Sequence, residues 1–167
     1  MRKRLTRCIL PSSGHPHPIP SSPSTVQPAA GTDTTPRPAI VIVDDERSYV
    51  DLLSQMLLDN LECDVYAFTR PDAALLALPT IEVGVVVSDY FMPEMDGVEF
   101  IRRASAIAPH AAFIMISGHD LDSIEHELVR LKGLRSRLQK PFGWRPLAEA
   151  VIQVWPGAGA PVYRVEL

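Results

Sequence analysis

Cysteine is almost missing from this sequence, which contains only Cys8 and Cys63 in 167 residues. The two follow no metal-ligand spacing, so neither a disulfide framework nor a zinc site is indicated. No stretch reaches the roughly 18 apolar residues of a membrane-spanning helix. The basic start MRKRLTR is followed by only three apolar residues before Pro11, too few for a secretory signal. We therefore expect a reduced, cytoplasmic protein that does not enter a membrane.

Acidic residues are nearly absent from positions 1–38, which contain only Asp33 but five basic residues and eight of the 16 prolines. Positions 39–167 contain 11 Lys and Arg and 19 Asp and Glu, so the two parts have net charges of about +4 and −8. A segment so rich in Pro, Ser and Thr buries too little apolar surface to offset its ordering entropy, and we expect 1–38 to be disordered. Its short basic cluster is interpreted as a solvated end, not as a contact for nucleic acid or membrane.

Residues 39–155 alternate between two hydrophobic periods. Apolar runs predict strands at 39–44, 64–68, 82–89 and 111–118, with a short polar fifth strand at 136–139. Helical spacing predicts five helices, at about 46–61, 70–78, 96–109, 121–131 and 144–155. Five strand–helix units predict an α/β fold with a doubly wound parallel sheet and helices on both faces. The last residues, 156–167, are expected to form a loose C-terminal tail.

Polar side chains stand at the carboxyl ends of four predicted strands. Asp44 and Asp45 end the first strand, Asp89 ends the third, Ser117 the fourth and Lys140 the fifth. Doubly wound sheets have their sites at this edge, so the groups should converge. Three unpaired carboxylates repel one another and need a cation, and oxygen ligands of this kind suit Mg²⁺. The pattern therefore predicts a Mg²⁺ site with a lysine charge and a hydroxyl donor beside it.

Each of these residues also has an ordinary structural interpretation. Asp45 alone could be a helix cap, Ser117 a turn former and Lys140 a solvated charge. The convergence of all of them at one edge favours a functional site. His119 and His126 are seven residues apart, with no third ligand in pattern, so we interpret them as surface residues and not as metal ligands.

Four segments, IVDDE, SDYFMPEMDG, MISG and QKPF, occur in order at the expected strand ends. Together they resemble the receiver domain of bacterial two-component response regulators, a CheY-like domain, over about residues 39–155. One such segment would be weak evidence, but four in register are specific. The resemblance implies a flavodoxin-like (βα)5 fold with strand order 2-1-3-4-5. It divides the chain into a tail (1–38), a receiver domain (39–155) and a C-terminal tail (156–167).

The resemblance implies a role for each acidic residue. Asp89 would accept a phosphoryl group from a histidine of a kinase or of a histidine phosphotransfer protein. Asp44, Asp45 and Asp89, with the backbone carbonyl of Phe91, would hold Mg²⁺. These roles agree with phosphoryl transfer, in which catalysis consists mostly of positioning and charge neutralisation.

The resemblance also implies roles for residues at the ends of the fourth and fifth strands. Ser117 and Lys140 would each contact a phosphoryl oxygen, and Lys140–Pro141 is a candidate cis peptide bond. One position departs from the family, because receiver domains usually carry Tyr or Phe three residues before the site lysine. That aromatic ring reports phosphorylation to the face formed by the fourth helix, fifth strand and fifth helix. Here Arg137 replaces it, and since a guanidinium buries poorly, we interpret Arg137 as part of a polar partner surface.

No DNA-binding helix pair, kinase core or cyclase-like segment is recognisable after residue 155. The resemblance therefore implies a single-domain response regulator that switches protein–protein interactions in phosphorelay signal transduction. It would not be an enzyme beyond its own phosphorylation and dephosphorylation. We expect a kinase or phosphotransfer partner and a downstream protein target, without nucleic acid or membrane. A homodimer through the face formed by the fourth helix, fifth strand and fifth helix stays open.

Two alternatives remain at this stage. The chain could be a pseudo-receiver, a binding module that never takes up phosphate, although the complete set of site residues argues against this. It could also be a hydrolase with an aspartyl-phosphate intermediate. Such enzymes place the nucleophile and a second acid two residues apart at the end of the first strand, whereas Asp44 and Asp45 are adjacent.

Overall fold

The computed structural model describes residues 39–121 and 124–164, so the predicted tail at 1–38 lies outside the described residues. Within these ranges five strands alternate with five α-helices. The strands are β1 (Ala39–Val43), β2 (Asp64–Phe68), β3 (Val83–Asp89), β4 (Ala112–Ser117) and β5 (Leu134–Gln139). The helices are α1 (Arg47–Asn60), α2 (Pro71–Ala77), α3 (Gly97–Ile107), α4 (Glu125–Leu128) and α5 (Trp144–Val154), and a 3₁₀ turn (Leu78–Thr80) follows α2.

All five strands are parallel and stand in the order β2-β1-β3-β4-β5. The predicted doubly wound fold and its strand order are confirmed. Strands β1 and β4 are buried at every residue, because helices cover both faces of the sheet. Strand β5 alternates between half-buried and exposed residues, as befits an edge strand whose charged side chains discourage pairing with another chain.

The sheet separates two hydrophobic cores. One core lies beneath α1 and α5 and includes Ile40, Ile42, Leu53, Leu57, Val85, Leu147 and Val151. The other lies beneath α2, α3 and α4 and includes Val41, Val43, Val86, Phe100, Ile101, Phe113 and Leu128. Alternate residues of β1 point to opposite cores, which explains why the strand reads as an uninterrupted apolar run. None of the helices described here is long and apolar enough to cross a membrane.

Helix α4 and strand β5 differ from the prediction. Residues 122–123 of the helix predicted at 121–131 lie outside the described residues, and the structure has an α-helix at Glu125–Leu128. After it the backbone tightens into i→i+3 hydrogen bonds, such as Leu131 N to Leu128 O. Gly133, at φ 81°, turns the chain into β5, which begins at Leu134, two residues before the predicted start at Ser136. No side chain caps the start of this helix at Ile124, so its apolar spacing alone did not set its bounds.

The C-terminal segment also differs from the predicted loose end. The backbone N–H of Glu62 donates to Val162 O, and Arg164 N donates to Asn60 O, both at 2.8 Å. The Tyr163 ring meets Trp144 of α5 edge to face, with centroids 6.4 Å apart. The segment therefore adds a short antiparallel contact to the chain that leaves α1, supplying partners to backbone groups at the helix end.

Candidate functional site

The carboxyl ends of β1, β3 and β5 bring three charged side chains into contact. Lys140 Nζ lies 2.7 Å from Asp44 Oδ2 and 2.7 Å from Asp89 Oδ1. The two carboxylates are buried, with 1% and 6% of their surface exposed. A single ammonium group thus bridges two buried carboxylates, and the three groups together carry a net charge of −1.

Backbone groups orient each member of this cluster. Asp44 Oδ1 accepts a hydrogen bond from Glu46 N at 2.9 Å, and Asp89 Oδ2 accepts one from Phe91 N at 2.8 Å. Lys140 N donates to Ser117 O at 2.7 Å, which fixes the start of the lysine loop against β4. The Lys140–Pro141 peptide bond is cis. Both acids are therefore anchored by the turn that immediately follows their own strand.

The electrostatics show an excess of negative charge. Burial raises the pKa of the Asp44 carboxyl, and the Asp89 charge acts in the same direction, outweighing the hydrogen bonds from Lys140 and Glu46 N. Burial disfavours the Lys140 ammonium, but the hydrogen bonds to Asp44 and Asp89 and the attraction of both charges together outweigh burial and raise the pKa of Lys140. Lys140 is therefore charged at neutral pH. Its single positive charge does not compensate the negative charges of both buried carboxylates.

Gly97 lets the loop after Asp89 close tightly onto α3. Its N–H donates to Tyr90 O at 2.8 Å, and a Cβ at this position would lie 2.4 Å from the Asp89 backbone oxygen. Any side chain here would displace the segment that carries the carboxylate. Asp96 caps the start of α3, because its side chain accepts a hydrogen bond from Glu99 N at 2.8 Å.

Three other residues of the predicted site lie beside this cluster. Ser117 is buried at the end of β4, where its hydroxyl donates to His119 O at 2.9 Å and accepts from His119 N at 3.0 Å. Asp45 is exposed to solvent directly after Asp44, and the side chain of Phe91 is 70% exposed. The Ser117 hydroxyl is thus held by the turn that follows β4. The Asp45 carboxylate lies on the solvent side of the site.

The donor set suits a hard divalent cation, although Asp, Glu, His and Cys form no cluster of three or more with metal-site geometry within 39–121 and 124–164. Magnesium is usually held by one or two carboxylates, with water completing its octahedral shell. Asp44 and Asp89 supply two buried carboxylates that share one ammonium, and Asp45 adds an exposed one. The excess negative charge and the all-oxygen chemistry both fit Mg²⁺.

Two side-chain contacts near the site were not predicted. Lys140 Nζ lies 4.0 Å from the centroid of the Tyr49 ring, in the first turn of α1. No spacing in the sequence links Tyr49 to Lys140, so only the packing of α1 against the loop after β5 revealed this contact. Arg137 of β5 forms an ion pair with Glu125 of α4 through both of its terminal nitrogens.

Comparison with known proteins agrees with this geometry. The profile of the response regulator receiver domain matches residues 40–152. The chain belongs to this family. The receiver domain resembles the transcriptional regulatory protein FixJ of Bradyrhizobium diazoefficiens, with 35% identity over 103 residues that cover 62% of this chain and 49% of FixJ. This chain therefore spans about half the length of that curated relative.

Solved structures agree on the fold. The signal receiver domain of an HD domain-containing protein from Pseudomonas fluorescens Pf-5 has a TM-score of 0.66 at 25% identity, covering 71% of this chain and 94% of that one. Chemotaxis protein CheY4 of Vibrio cholerae has a TM-score of 0.65 at 23% identity, covering 71% and 98%. The resemblance inferred from the four sequence segments is confirmed. Receiver domains of two-component systems are generally signalling domains, not enzymes, and they interact with histidine kinases.

Proposed function

We propose that this receiver domain takes up a phosphoryl group on Asp89 and thereby changes its contacts with another protein. The observation that carries the proposal is the buried cluster in which Lys140 Nζ lies 2.7 Å from both Asp89 Oδ1 and Asp44 Oδ2. A carboxylate held by a backbone N–H, next to a cation and a second acid, is arranged for attack on phosphorus. The proposed setting is a cytoplasmic phosphorelay.

The proposed donor is a phosphohistidine on a histidine kinase or a histidine phosphotransfer protein. An Asp89 oxygen attacks phosphorus, the new O–P bond forms as the P–N bond breaks, and the released imidazole nitrogen takes a proton from solvent. Attack by water on the acyl phosphate later restores the carboxylate and releases inorganic phosphate. Asp44, Asp45 and Asp89, with the Phe91 carbonyl, would hold Mg²⁺, which supplies positive charge to the phosphoryl oxygens when bound.

Ser117 and Lys140 are the proposed contacts of the transferred group. Lys140 already lies against Asp89 and would pair with a phosphoryl oxygen. The Ser117 hydroxyl now donates to His119 O, so reaching a phosphoryl oxygen requires it to give up that bond. The exchange would change the turn after β4, which leads toward α4, and this is the proposed link between phosphorylation and a partner surface.

Intact-protein mass tests the proposal directly. After incubation with Mg²⁺ and acetyl phosphate, we expect the wild-type mass to increase by one phosphoryl group. The modification should be removed by hydroxylamine, which cleaves acyl phosphates, and should not form when Mg²⁺ is chelated. If neither acetyl phosphate nor a phosphorylated histidine kinase modified the chain, phosphoryl transfer to Asp89 would be excluded. The second candidate, a phosphate-independent binding module, would then be favoured.

Arg137 is proposed to belong to the partner surface by linking β5 to α4. Both residues of its ion pair with Glu125 are well exposed, with 42% and 47% of their side chains accessible, so the pair stabilises only modestly. We expect Arg137→Ala to speed amide hydrogen exchange in α4 by about threefold, leaving β1 and β3 unchanged. The double variant Arg137→Glu with Glu125→Arg should restore slow exchange.

Arg103→Ala provides the matched control, because Arg103 forms a similarly exposed ion pair with Glu99 within α3. It should alter exchange in α3 and not in α4. Exchange in α4 that did not respond to Arg137→Ala would show that the ion pair does not couple the two elements.

A further inference from the structure

Lys140 has a third partner besides the two carboxylates. Its Nζ lies 4.0 Å from the centroid of the Tyr49 ring, within the range at which an ammonium is attracted to an aromatic face. Tyr49 N donates to Glu46 O at 3.0 Å, so the ring is anchored in the turn that follows Asp44. We propose that Tyr49 is a positioning residue that holds the Lys140 ammonium over Asp89 for phosphoryl transfer. This inference rests on the proposed function of Asp89.

The Tyr49 ring is itself fixed by a second aromatic residue. The ring of Phe142 meets it edge to face, with centroids 6.4 Å apart and planes at 77°. Phe142 lies two residues after Lys140, so the ring of Tyr49 contacts the lysine loop at two points. Tyr49 and Phe142 also pack against the core beneath α1 and α5. These contacts join the first turn of α1 to the loop between β5 and α5.

The lysine needs a partner that does not change during the reaction. In the structure its ammonium is held by Asp44 and Asp89. A cation bound by Asp44 and a phosphoryl group on Asp89 would each alter one of those partners. The Tyr49 ring is neutral and is changed by neither event. Without it, a flexible side chain that is already 21% exposed would more often turn toward solvent.

Two substitutions at position 49 separate the aromatic face from simple packing. Tyr49→Leu keeps an apolar side chain but removes the ring, and we expect phosphorylation by acetyl phosphate at saturating Mg²⁺ to slow by about three- to tenfold. Tyr49→Phe keeps the ring, and its rate should remain within about twofold of wild type. Melting temperatures of both variants show whether either one is simply less well folded at the assay temperature.

A double-mutant cycle tests whether Tyr49 acts through Lys140. In a Lys140→Met background the ring has no ammonium to hold, so Tyr49→Leu should cause no further loss of rate. An equal loss in both backgrounds would overturn the proposal, because Tyr49 would then act by another route. A Tyr49→Leu rate equal to that of wild type would overturn it as well.

Proton NMR provides a readout that does not require phosphorylation. The ring current of Tyr49 should shift the ε-methylene signal of Lys140 upfield in wild type and in Tyr49→Phe, and this shift should disappear in Tyr49→Leu. If wild type showed the shift but never took up phosphate, the proposed function would fail while the contact remained. If the signal were the same in all three proteins, the contact itself would be disproved.

Discussion

Asp89→Asn is expected to reduce phosphoryl incorporation from acetyl phosphate to the background level. The amide is a poor nucleophile, so transfer stops, whereas its size and its carbonyl oxygen preserve one of the two hydrogen bonds that the carboxylate makes, to Lys140 or to Phe91 N. The fold should therefore persist. Intact mass after incubation with Mg²⁺ and acetyl phosphate measures the loss, and circular dichroism confirms that the variant is folded.

The same substitution should stabilise the metal-free protein. Asp89 adds negative charge beside Asp44, a carboxyl whose pKa is raised by burial and, to a smaller extent, by the Asp89 charge itself. Removing that charge should raise the free energy of unfolding by about 1 kcal/mol and the melting temperature by about 3 °C. Added Mg²⁺ should stabilise wild type more than the variant, because the variant has lost one carboxylate.

Asp59→Asn is the matched control for this experiment. It removes the same charge at an exposed position of α1 outside the cluster, so it should still take up phosphate and should change stability less. Phosphoryl incorporation into Asp89→Asn at a rate near that of wild type would contradict the assignment of Asp89 as acceptor. The modified residue would then have to be found by peptide mapping.

Lys140→Met is expected to have two opposite effects, tighter Mg²⁺ binding and slower phosphoryl transfer. Lys140 Nζ contacts Asp44 Oδ2 and Asp89 Oδ1, so a metal cation must compete with the ammonium for those oxygens. Without the ammonium the two carboxylates lose their internal counter-charge, and Mg²⁺ affinity should rise about tenfold, equivalent to about 1.4 kcal/mol. Isothermal titration calorimetry measures this change.

Phosphoryl incorporation should slow by about a hundredfold in the same variant, since a positioned cation that stabilises developing charge commonly contributes that much. Mass spectrometry at saturating Mg²⁺ separates this effect from altered metal affinity. Lys132→Met is the control, because it makes the same substitution at an exposed position of the same chain and should leave both quantities unchanged. Weaker Mg²⁺ binding in Lys140→Met would show that the lysine supports the metal site and does not compete with it.

The central strands could be predicted because burial on both faces makes a parallel strand an uninterrupted apolar run. Strands β1 and β4 illustrate this, and the predicted and observed bounds agree within one residue. The predicted start of β5 was two residues too late. Leu134 is followed by the polar residues Arg135 and Ser136, so no apolar run marks the beginning of this edge strand. The C-terminal end of α4 was predicted too late, because the apolar spacing continues beyond Leu128, where the backbone tightens into i→i+3 hydrogen bonds.

The pairing of the C-terminal segment could not be predicted from any local pattern. Leu61 and Tyr163 form an antiparallel bridge, although about 100 residues separate them along the chain. The run YRVEL at 163–167 alternates apolar and polar residues as a strand does, but such a short run does not indicate which segment it pairs with. Such contacts depend on where α1 and α5 come to lie, which is a consequence of the packed sheet.

The sequence by itself determined which chemical groups stand at the carboxyl ends of the strands, because hydrophobic period and strand length are local properties. Asp44, Asp89 and Lys140 were therefore identified together. Only the tertiary structure decided how they meet: the Lys140 ammonium bridges both acids, of which Asp44 lies 96 residues away along the chain, and it also contacts the Tyr49 ring. Those contacts depend on how α1, β3 and β5 pack against one another, and neighbouring residues in the sequence do not specify that packing.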